Sequence, residues 1–326
     1  MMNQTQKMTG ANYMHEEYSR LQDTAAIVVT YNPNPDGLQR GLREIARQVA
    51  CVIVVDNASH NLAQCQIDQL GRALDIRLET VRQQKNVGVG AGFNAGIDVA
   101  DKLGYPFVVL FDQDSIPQEG MVCRLRQSYE SLTASGVRVA AVGPRFREPG
   151  DGTLSNFIPS DDGNTKRPHC QEGGGTIMTD FLISSGSFIP MQAIGEVGMM
   201  DESLFIDYVD AEWCLRATAK GWFVYGVNDA IMQHSIGESR KHFWFVRWRN
   251  IAFHKPFRYY YIFRNSWLLR KHPYISSGWK RLNRRHNVML AVYLVALAPN
   301  RIANLKMILK GILDGCKGIS GPMRTT

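Results

Sequence analysis

Two aspartates one residue apart, Asp112 and Asp114, stand directly after the apolar run Phe107–Phe111 (FVVLF). Carboxylates at i and i+2 beyond a strand end splay into a turn where they share a hard divalent ion. Mg2+ or Mn2+ takes such oxygen ligands and leaves positions open for a diphosphate. The competing reading is an ordinary turn in which Asp112 caps the helix near Pro117. A second acidic group, Asp207, Asp210 and Glu212, lies in FIDYVDAEWCLRA near a helix start. Crowding three carboxylates raises the pKa of at least one, as a general base requires. Acids placed at the positive end of a helix would give the same pattern. His234, in QHSIG, is by itself better read as a hydrogen-bonded structural histidine.

Two further stretches concern a ligand more than a reaction. Asp56-Asn57-Ala58-Ser59 follows Cys51–Val55 (CVIVV). A carboxylate there either accepts from a nucleobase N–H or caps the next helix. Asn86 to Asn94 (NVGVGAGFN) combines glycines, which let backbone approach a ligand, with a helix N-terminus that suits anions. It is not the dinucleotide fingerprint. Phe93 stands where the last glycine would be, and the stretch follows the third strand, not the first.

The elements that must position these groups alternate. Strands are expected at Ala25–Tyr31, Cys51–Val55, Leu74–Arg82 and Phe107–Phe111, with helices at Gly37–Val49 and Gly90–Leu103. Continuous apolar strands separated by helices predict an α/β fold with a mostly parallel central sheet covered on both faces. Ligands bind such sheets beyond the carboxyl ends of the strands, and Tyr31-Asn32, Asp56-Asn57 and Asp112-Gln113-Asp114 all sit there. Gly143 to Gly175 reads as loops with short strands. Phe181–Pro190 reads as a strand, Glu212–Ala219 as a helix, and Trp222–Val227 and Ala230–His234 as two more strands.

The 326 residues suit one large domain with an appendage. A hydrophobic content of 44% with 21% charged excludes disorder and a multi-span membrane protein. Charge is divided: up to Gly237 there are 19 basic and 28 acidic residues, and from Glu238 onward 18 basic and 2 acidic. The basic part predicts an anionic partner, either nucleic acid or an anionic membrane face; a solvated basic face is the plainer reading. Its longest apolar run, Val288 to Pro299, is too short to span a bilayer. Its aromatic residues are expected in the headgroup layer. The six scattered cysteines read as reduced thiols of a cytosolic protein, and the polar N-terminus carries no secretory signal.

Taken in order, the VVTYNP start, NVGVGAGFNAGI, LFDQDS, FLISSG and FIDYVDAEWCLRA resemble the family-2 inverting glycosyltransferases, from about Thr24 to Ser239. These motifs, with RYYYIFRN at Arg258–Asn265, resemble the bacterial rhamnosyltransferase subgroup in particular. The resemblance implies a GT-A nucleotide-diphospho-sugar transferase fold over residues 23–240, after a polar tail at 1–22. A basic, aromatic, helical region at 241–326 would then reach a membrane. The resemblance implies L-rhamnose transfer from dTDP-L-rhamnose to a lipid-linked saccharide or glycolipid, in O-antigen, other surface polysaccharide or rhamnolipid synthesis. The expected place is the cytoplasmic side of the cell membrane, peripherally on an anionic surface. Tyr31, Asn32 and Asp56 would line the nucleoside pocket, with Asp56 facing thymine, and Asn86, Gly88, Asn94 and Asp112 would lie against the nucleotide. Asp112 and Asp114 would hold Mg2+ or Mn2+, with His234 as third ligand. Asp210 matches the family's catalytic acid-pair position. The usual Glu-Asp reads Val209-Asp210 here, so Glu212 or Asp207 stands as the displaced partner.

Two other classes fit part of the sequence. A nucleotidyltransferase also needs a nucleotide pocket and metal carboxylates, yet TYNPNP stands where its glycine-rich, basic loop would be. A nucleic-acid-binding protein would use the interleaved Trp, Tyr and Arg of the C-terminal region to stack bases, and would leave the acidic half without a purpose. No nucleic acid is therefore expected.

Overall fold

The computed structural model describes residues 19–62, 67, 69, 71–73, 76–147, 152, 154–157, 175–233 and 254–324, and the backbone of 239–245 and 247–253. The first half runs β1 (Leu21–Thr30), α1 (Pro35–Ala46), β2 (Val49–Asp56), β3 (Arg77–Arg82), α2 (Val89–Lys102) and β4 (Phe107–Asp112). Next come β5 (Ile116–Pro117), α3 (Met121–Ala134), β6 (Val139–Arg147), β7 (Thr176–Thr179), β8 (Phe188–Pro190) and α4 (Met191–Val197). A 3-10 turn (Glu202–Leu204) precedes α5 (Val209–Ala219) and β9 (Phe223–Gln233). The C-terminal part holds the antiparallel pair β10 (Ser239–Phe245) and β11 (Arg247–Phe253), then α6 (Pro256–Arg270), α7 (Ser277–Ala296) and α8 (Arg301–Lys317).

The main sheet has the order β3-β2-β1-β4-β8-β6-β9-β5, with β7 on β9. β3, β2, β1 and β4 are parallel, as expected for continuous apolar runs. Beyond β4 the sheet is mixed: β8 is antiparallel to both neighbours, and β6 and β9 are parallel to each other. Ala25, Ile27 and Val29 of β1 pack on one face with Phe93, Ile97 and Ala100 of α2. Ala26 and Val28 face Leu38, Leu42 and Ile45 of α1 and Leu125 of α3 on the other. Alternation along one strand thus fills two cores. α1 carries its own start signal, with Pro35 in the first turn and the Asn34 side chain accepting from Gly37 N–H at 2.9 Å.

Several expected elements differ. Only Phe188–Pro190 of the Phe181–Pro190 run is strand; Gly186 takes a φ of +84° and turns the chain at Ser184–Ser187. The two strands expected at 222–227 and 230–234 are one, β9, whose pairing with β6 skips between Val227 and Ile231. β1 begins four residues before Ala25, inside the expected polar tail. Leu74 and His234 lie outside the described residues. Among the described residues, Cys51, Cys123, Cys214 and Cys316 are free thiols. No described helix is long and apolar enough to cross a membrane.

The aromatic residues of α6 do not face outward. Tyr259, Tyr260, Tyr261 and Phe263 are all buried, so this part of the aromatic cluster cannot occupy a headgroup layer. The fully buried Arg264 lies over the rings of Tyr260 and Tyr261, 5.3 and 4.8 Å from their centroids. Its guanidinium donates to the Leu204 carbonyl at 2.9 Å and to the Asn265 side chain at 2.9 Å, which satisfies a charge that would be costly if left bare. The helices after Pro256 therefore grip the rest of the protein.

Candidate active site

The carboxyl ends of β1, β2 and β4 lie side by side. Thr30 is opposite Asp56, and Val29 is opposite Asp112. Gln113 crosses this edge: its Oε1 accepts from Tyr31 N–H at 2.7 Å and fixes the end of β1 to the Asp112–Asp114 turn. Tyr31 itself is 44% exposed. Asn32, at a φ of +47°, donates its N–H to Ser59 Oγ and accepts from His60 N–H, both at 2.8 Å. Asp56 is buried. Its Oδ1 accepts from Thr30 Oγ1 (3.3 Å) and Ser59 N–H (3.1 Å), and its Oδ2 lies 3.6 Å from Arg82 Nε. It organises the turn that carries Ser59, with one oxygen towards a partly exposed guanidinium.

Asn86 and Gly88 build the start of α2. Asn86 Oδ1 accepts from Gly88 N–H at 2.9 Å, and the buried Asn57 donates to the Gly88 carbonyl at 3.1 Å. Gly88 has a φ of +91°, and a β-carbon there would collide with the Phe205 carbonyl oxygen. Only glycine permits this contact between two loops. Asn94 serves a different purpose from the one expected. Its amide donates to the Met200 carbonyl (3.0 Å) and Glu202 Oε1 (2.8 Å), while its oxygen accepts from Met200 N–H (2.9 Å). All its polar atoms are taken by the segment leading to α5.

The three acids near α5 separate by partner. Glu212 is buried, receives two hydrogen bonds from Arg216 (2.8 and 2.9 Å) and accepts from Tyr274 OH at 2.6 Å. Asp207 is paired bidentately with Arg258 at 2.5 and 3.3 Å. Asp210, among the described residues, has no cation. It accepts from Ser184 N–H (3.3 Å) and Ala211 N–H (2.8 Å). Burial, and then the charges of Asp112 and Asp207, lift its pKa from 3.8 to about 6 against the opposing effect of those N–H groups. One member of the triad has the properties of a base at neutral pH.

The Ser184–Ser185 turn joins the two carboxylate groups. Ser184 N–H meets Asp210, while Ser185 Oγ accepts from Asp112 N–H at 3.2 Å and shares a hydrogen bond with Ser115 Oγ at 2.5 Å. The loop before Asp210 is strained: Phe205, Asp207 and Tyr208 all have φ between 63° and 66°. Non-glycine residues hold this conformation only when their surroundings over-determine it. Here the Asn265 amide, itself fully buried, donates to the carbonyls of Leu204 (2.9 Å), Ile206 (2.8 Å) and Asp207 (2.8 Å). Asn265→Ala would take this donor from the Ile206 and Asp207 carbonyls, at about 1–3 kcal/mol each where they are buried, while the Leu204 carbonyl keeps Arg264. We expect a lower melting temperature and a larger fall in kcat than in donor affinity, read by thermal unfolding and by calorimetry with donor.

A family model described as glycosyl transferase family 2 matches residues 25–182. The dTDP-rhamnosyl transferase RfbF of Shigella flexneri is 30% identical over 300 residues, which is 91% of this chain and 96% of that protein. The chain belongs to glycosyltransferase family 2. Solved structures give the same GT-A fold at low identity. A mannosyltransferase from Pyrobaculum calidifontis, PcManGT, in complex with GDP-Man and Mn2+, superposes with a TM-score of 0.54 at 14% identity, covering 90% of this chain and 75% of that one. S. aureus TarS 1-349 with UDP-GlcNAc gives 0.53 at 12%, covering 91% and 81%. GalNAc-T7 with UDP, GalNAc and Mn2+ gives 0.53 at 13%, covering 87% and 59%.

Within this glycosyltransferase, the matched segment holds the strand ends and the Asp112–Asp114 turn, whereas Asp210 lies beyond it. Asp112 and Asp114 offer the hard oxygen donors a divalent cation takes, on a turn already held by Ser115, Gln113 and Ser185. The charge of Asp112 reaching Asp210 marks a concentration of negative charge that a cation would relieve. The residues present therefore fit a divalent ion. The third expected ligand, His234, is outside the described residues, and no three-ligand cluster occurs among those described.

Proposed function

We propose that this family-2 glycosyltransferase moves L-rhamnose from dTDP-L-rhamnose, with inversion, to a hydroxyl of a lipid-linked saccharide or glycolipid. The observation that carries the reading is the near full-length match to the Shigella dTDP-rhamnosyl transferase. The site supports the chemistry. Asp210 is the one acid of its group without a cationic partner among the described residues, and it takes the role of base. It accepts the proton of the acceptor hydroxyl as that oxygen attacks the anomeric carbon from the face opposite the diphosphate. Asp207 and Glu212, tied to Arg258 and Arg216, fix the loop and helix that present it.

Asp112 and Asp114 would hold Mg2+ or Mn2+ on the donor diphosphate. Such an ion stabilises the negative charge that develops on the departing phosphate oxygen. Tyr31 and Asn32 line the nucleoside side of the pocket. Asp56 Oδ2 is the oxygen we assign to the thymine N3–H, and the Asn86–Gly88 turn lies against the nucleotide. Asn94, with all its polar atoms engaged, is left out of that set. A lipid-borne acceptor places the enzyme at the cytoplasmic face of the cell membrane.

A panel of dTDP-, UDP- and GDP-sugars, read by calorimetry and product mass spectrometry, tests this reading. We expect dTDP-L-rhamnose to be the best donor. UDP-sugars lack the 5-methyl group, whose apolar contact discriminates by only about 10–200-fold, so weak use of them is expected. dTDP-D-glucose should bind and transfer poorly. Efficient glucose transfer, or preference for a GDP-sugar, would remove the rhamnosyl assignment.

A further inference from the structure

Among the described residues, ten of the thirteen exposed large apolar side chains lie between Leu282 and Leu313, on the hairpin formed by α7 and α8. On α8 they form a stripe: Ile302, Leu305, Leu309 and Leu313 recur every three or four residues. Met289 and Val292 are likewise exposed on the second half of α7, before the Leu297–Asn300 turn, on the side away from its buried Asn283, Asn287 and Leu294. The inner face of each helix is fully used by Asn283, Asn287 and Leu294, and by Asn304, Ile308 and Gly311, respectively. The exposed stripe is thus a second apolar face, larger than the scattered residues an ordinary surface carries.

Charge decides what covers it. The two helices together carry eight Lys and Arg and a single acid, Asp314, which accepts from Tyr260 OH at 2.8 Å. Arg281, Arg284 and Arg285 are exposed at the root of the hairpin, before its apolar half. Lys306 and Lys317, about three turns apart, run along one side of the α8 stripe. A second copy of the same face would bring eight more positive charges against these. An anionic bilayer meets both features, with phosphates at the basic rim and acyl chains at the aliphatic stripe.

We infer that the outer face of the α7–α8 hairpin is the membrane-docking surface, and that it inserts aliphatic side chains, not the buried tyrosines of α6. The inference deepens the reading of a lipid-borne acceptor and rests on it. It also links the bilayer to the reaction through one helix. α6 packs so closely on α8 that a β-carbon at Gly311 would collide with the Tyr260 carbonyl, and α6 carries the Asn265 that holds the loop before Asp210.

The test uses the full chain with vesicles of phosphatidylcholine and phosphatidylglycerol in equal parts, beside vesicles of phosphatidylcholine alone. The unmutated protein should float with the anionic vesicles and much less with the neutral ones. Leu305→Ser/Leu309→Ser/Leu313→Ser, all at exposed positions, should reduce flotation by about tenfold or more even at low salt. Lys306→Glu/Lys317→Glu should weaken flotation at low salt and make the remaining binding less sensitive to added salt than in the unmutated protein. Hydrolysis of the nucleotide-sugar donor, measured without vesicles, should be unchanged in both variants. Undiminished flotation of the serine variant would overturn the inference. So would an unmutated protein that ignores anionic vesicles, or a dimer on sizing columns that the serine variant breaks, which would give the face to a second copy. Failure of the rhamnosyl reading would appear separately, in the donor assay.

Discussion

Asp210→Asn should lower turnover by about 10²–10⁴-fold, leave donor binding close to unchanged and make the protein more stable at neutral pH. The last two outcomes separate a base from a binding group. In the native protein the Asp210 carboxyl is raised from 3.8 to about 6, chiefly by burial and next by the charge of Asp112. Folding therefore favours its protonated form. The ionised form weakens the fold, with no penalty below about pH 4, a growing one between pH 4 and 6, and the full one above. A tenfold change in proton affinity corresponds to about 1.4 kcal/mol. Asparagine removes the charge at every pH and gives up part of the bonding to Ser184 and Ala211 N–H. The expected gain is on the order of 2 kcal/mol at pH 7 and none at pH 4. Thermal unfolding at the two pH values reads it directly. Turnover of the unmutated enzyme should fall as the pH drops through about 6, because a protonated Asp210 accepts nothing. If Asp210→Asn lost donor affinity as much as turnover, the residue would belong to the donor site instead. A larger loss at Glu212 would transfer the role there.

What could be read from the sequence follows from where each group finds its partners. The ends of β1, β2 and β4 were legible because a strand buried on both faces stays apolar until it leaves the sheet, and the first polar residue then marks the edge. Asp56 and Asp112 were found this way. The difficulty began where partners are distant in sequence. Asn94 is held by Met200 and Glu202, and Asp207 by Arg258, at separations of 106, 108 and 51 residues. Spacing carries no trace of such pairs. Glu212 was half legible, since Arg216 four residues on is the usual helical ion-pair spacing, whereas Tyr274 was not. The Tyr259–Tyr261 run looked like a surface feature because it stands among arginines. Burying it required Arg264 to be buried too, against the general rule for charged residues. The Ser184–Gly186 turn was hidden in an apolar run, though Ser-Ser-Gly-Ser is a turn composition that could have revealed it.

Removal of divalent metal should abolish transfer, and Asp112→Ala or Asp114→Ala should do the same with metal present, each by about 10³-fold or more. The reasoning starts from the turn. Asp112 ends β4, its N–H is held by Ser185, its carbonyl accepts from Ser115 N–H at 3.2 Å, and Gln113 ties the intervening residue to β1. These bonds fix the backbone that carries both carboxylates, and the Asp112 charge is felt at Asp210. A cation is the natural complement, and a diphosphate needs one when its bond to the sugar breaks. A readout independent of activity follows from the same electrostatics. Asp112→Asn removes the neighbouring charge, so the pH at which the Asp210 penalty reaches its full size should move down from about 6 towards 3.8, and the penalty itself should shrink. Mn2+ added to the unmutated protein should act in the same direction and raise its melting temperature. Mn2+ added to Asp112→Asn should do little. Full turnover in EDTA, or identical Mn2+ shifts in both proteins, would show that the ion is not held by this turn.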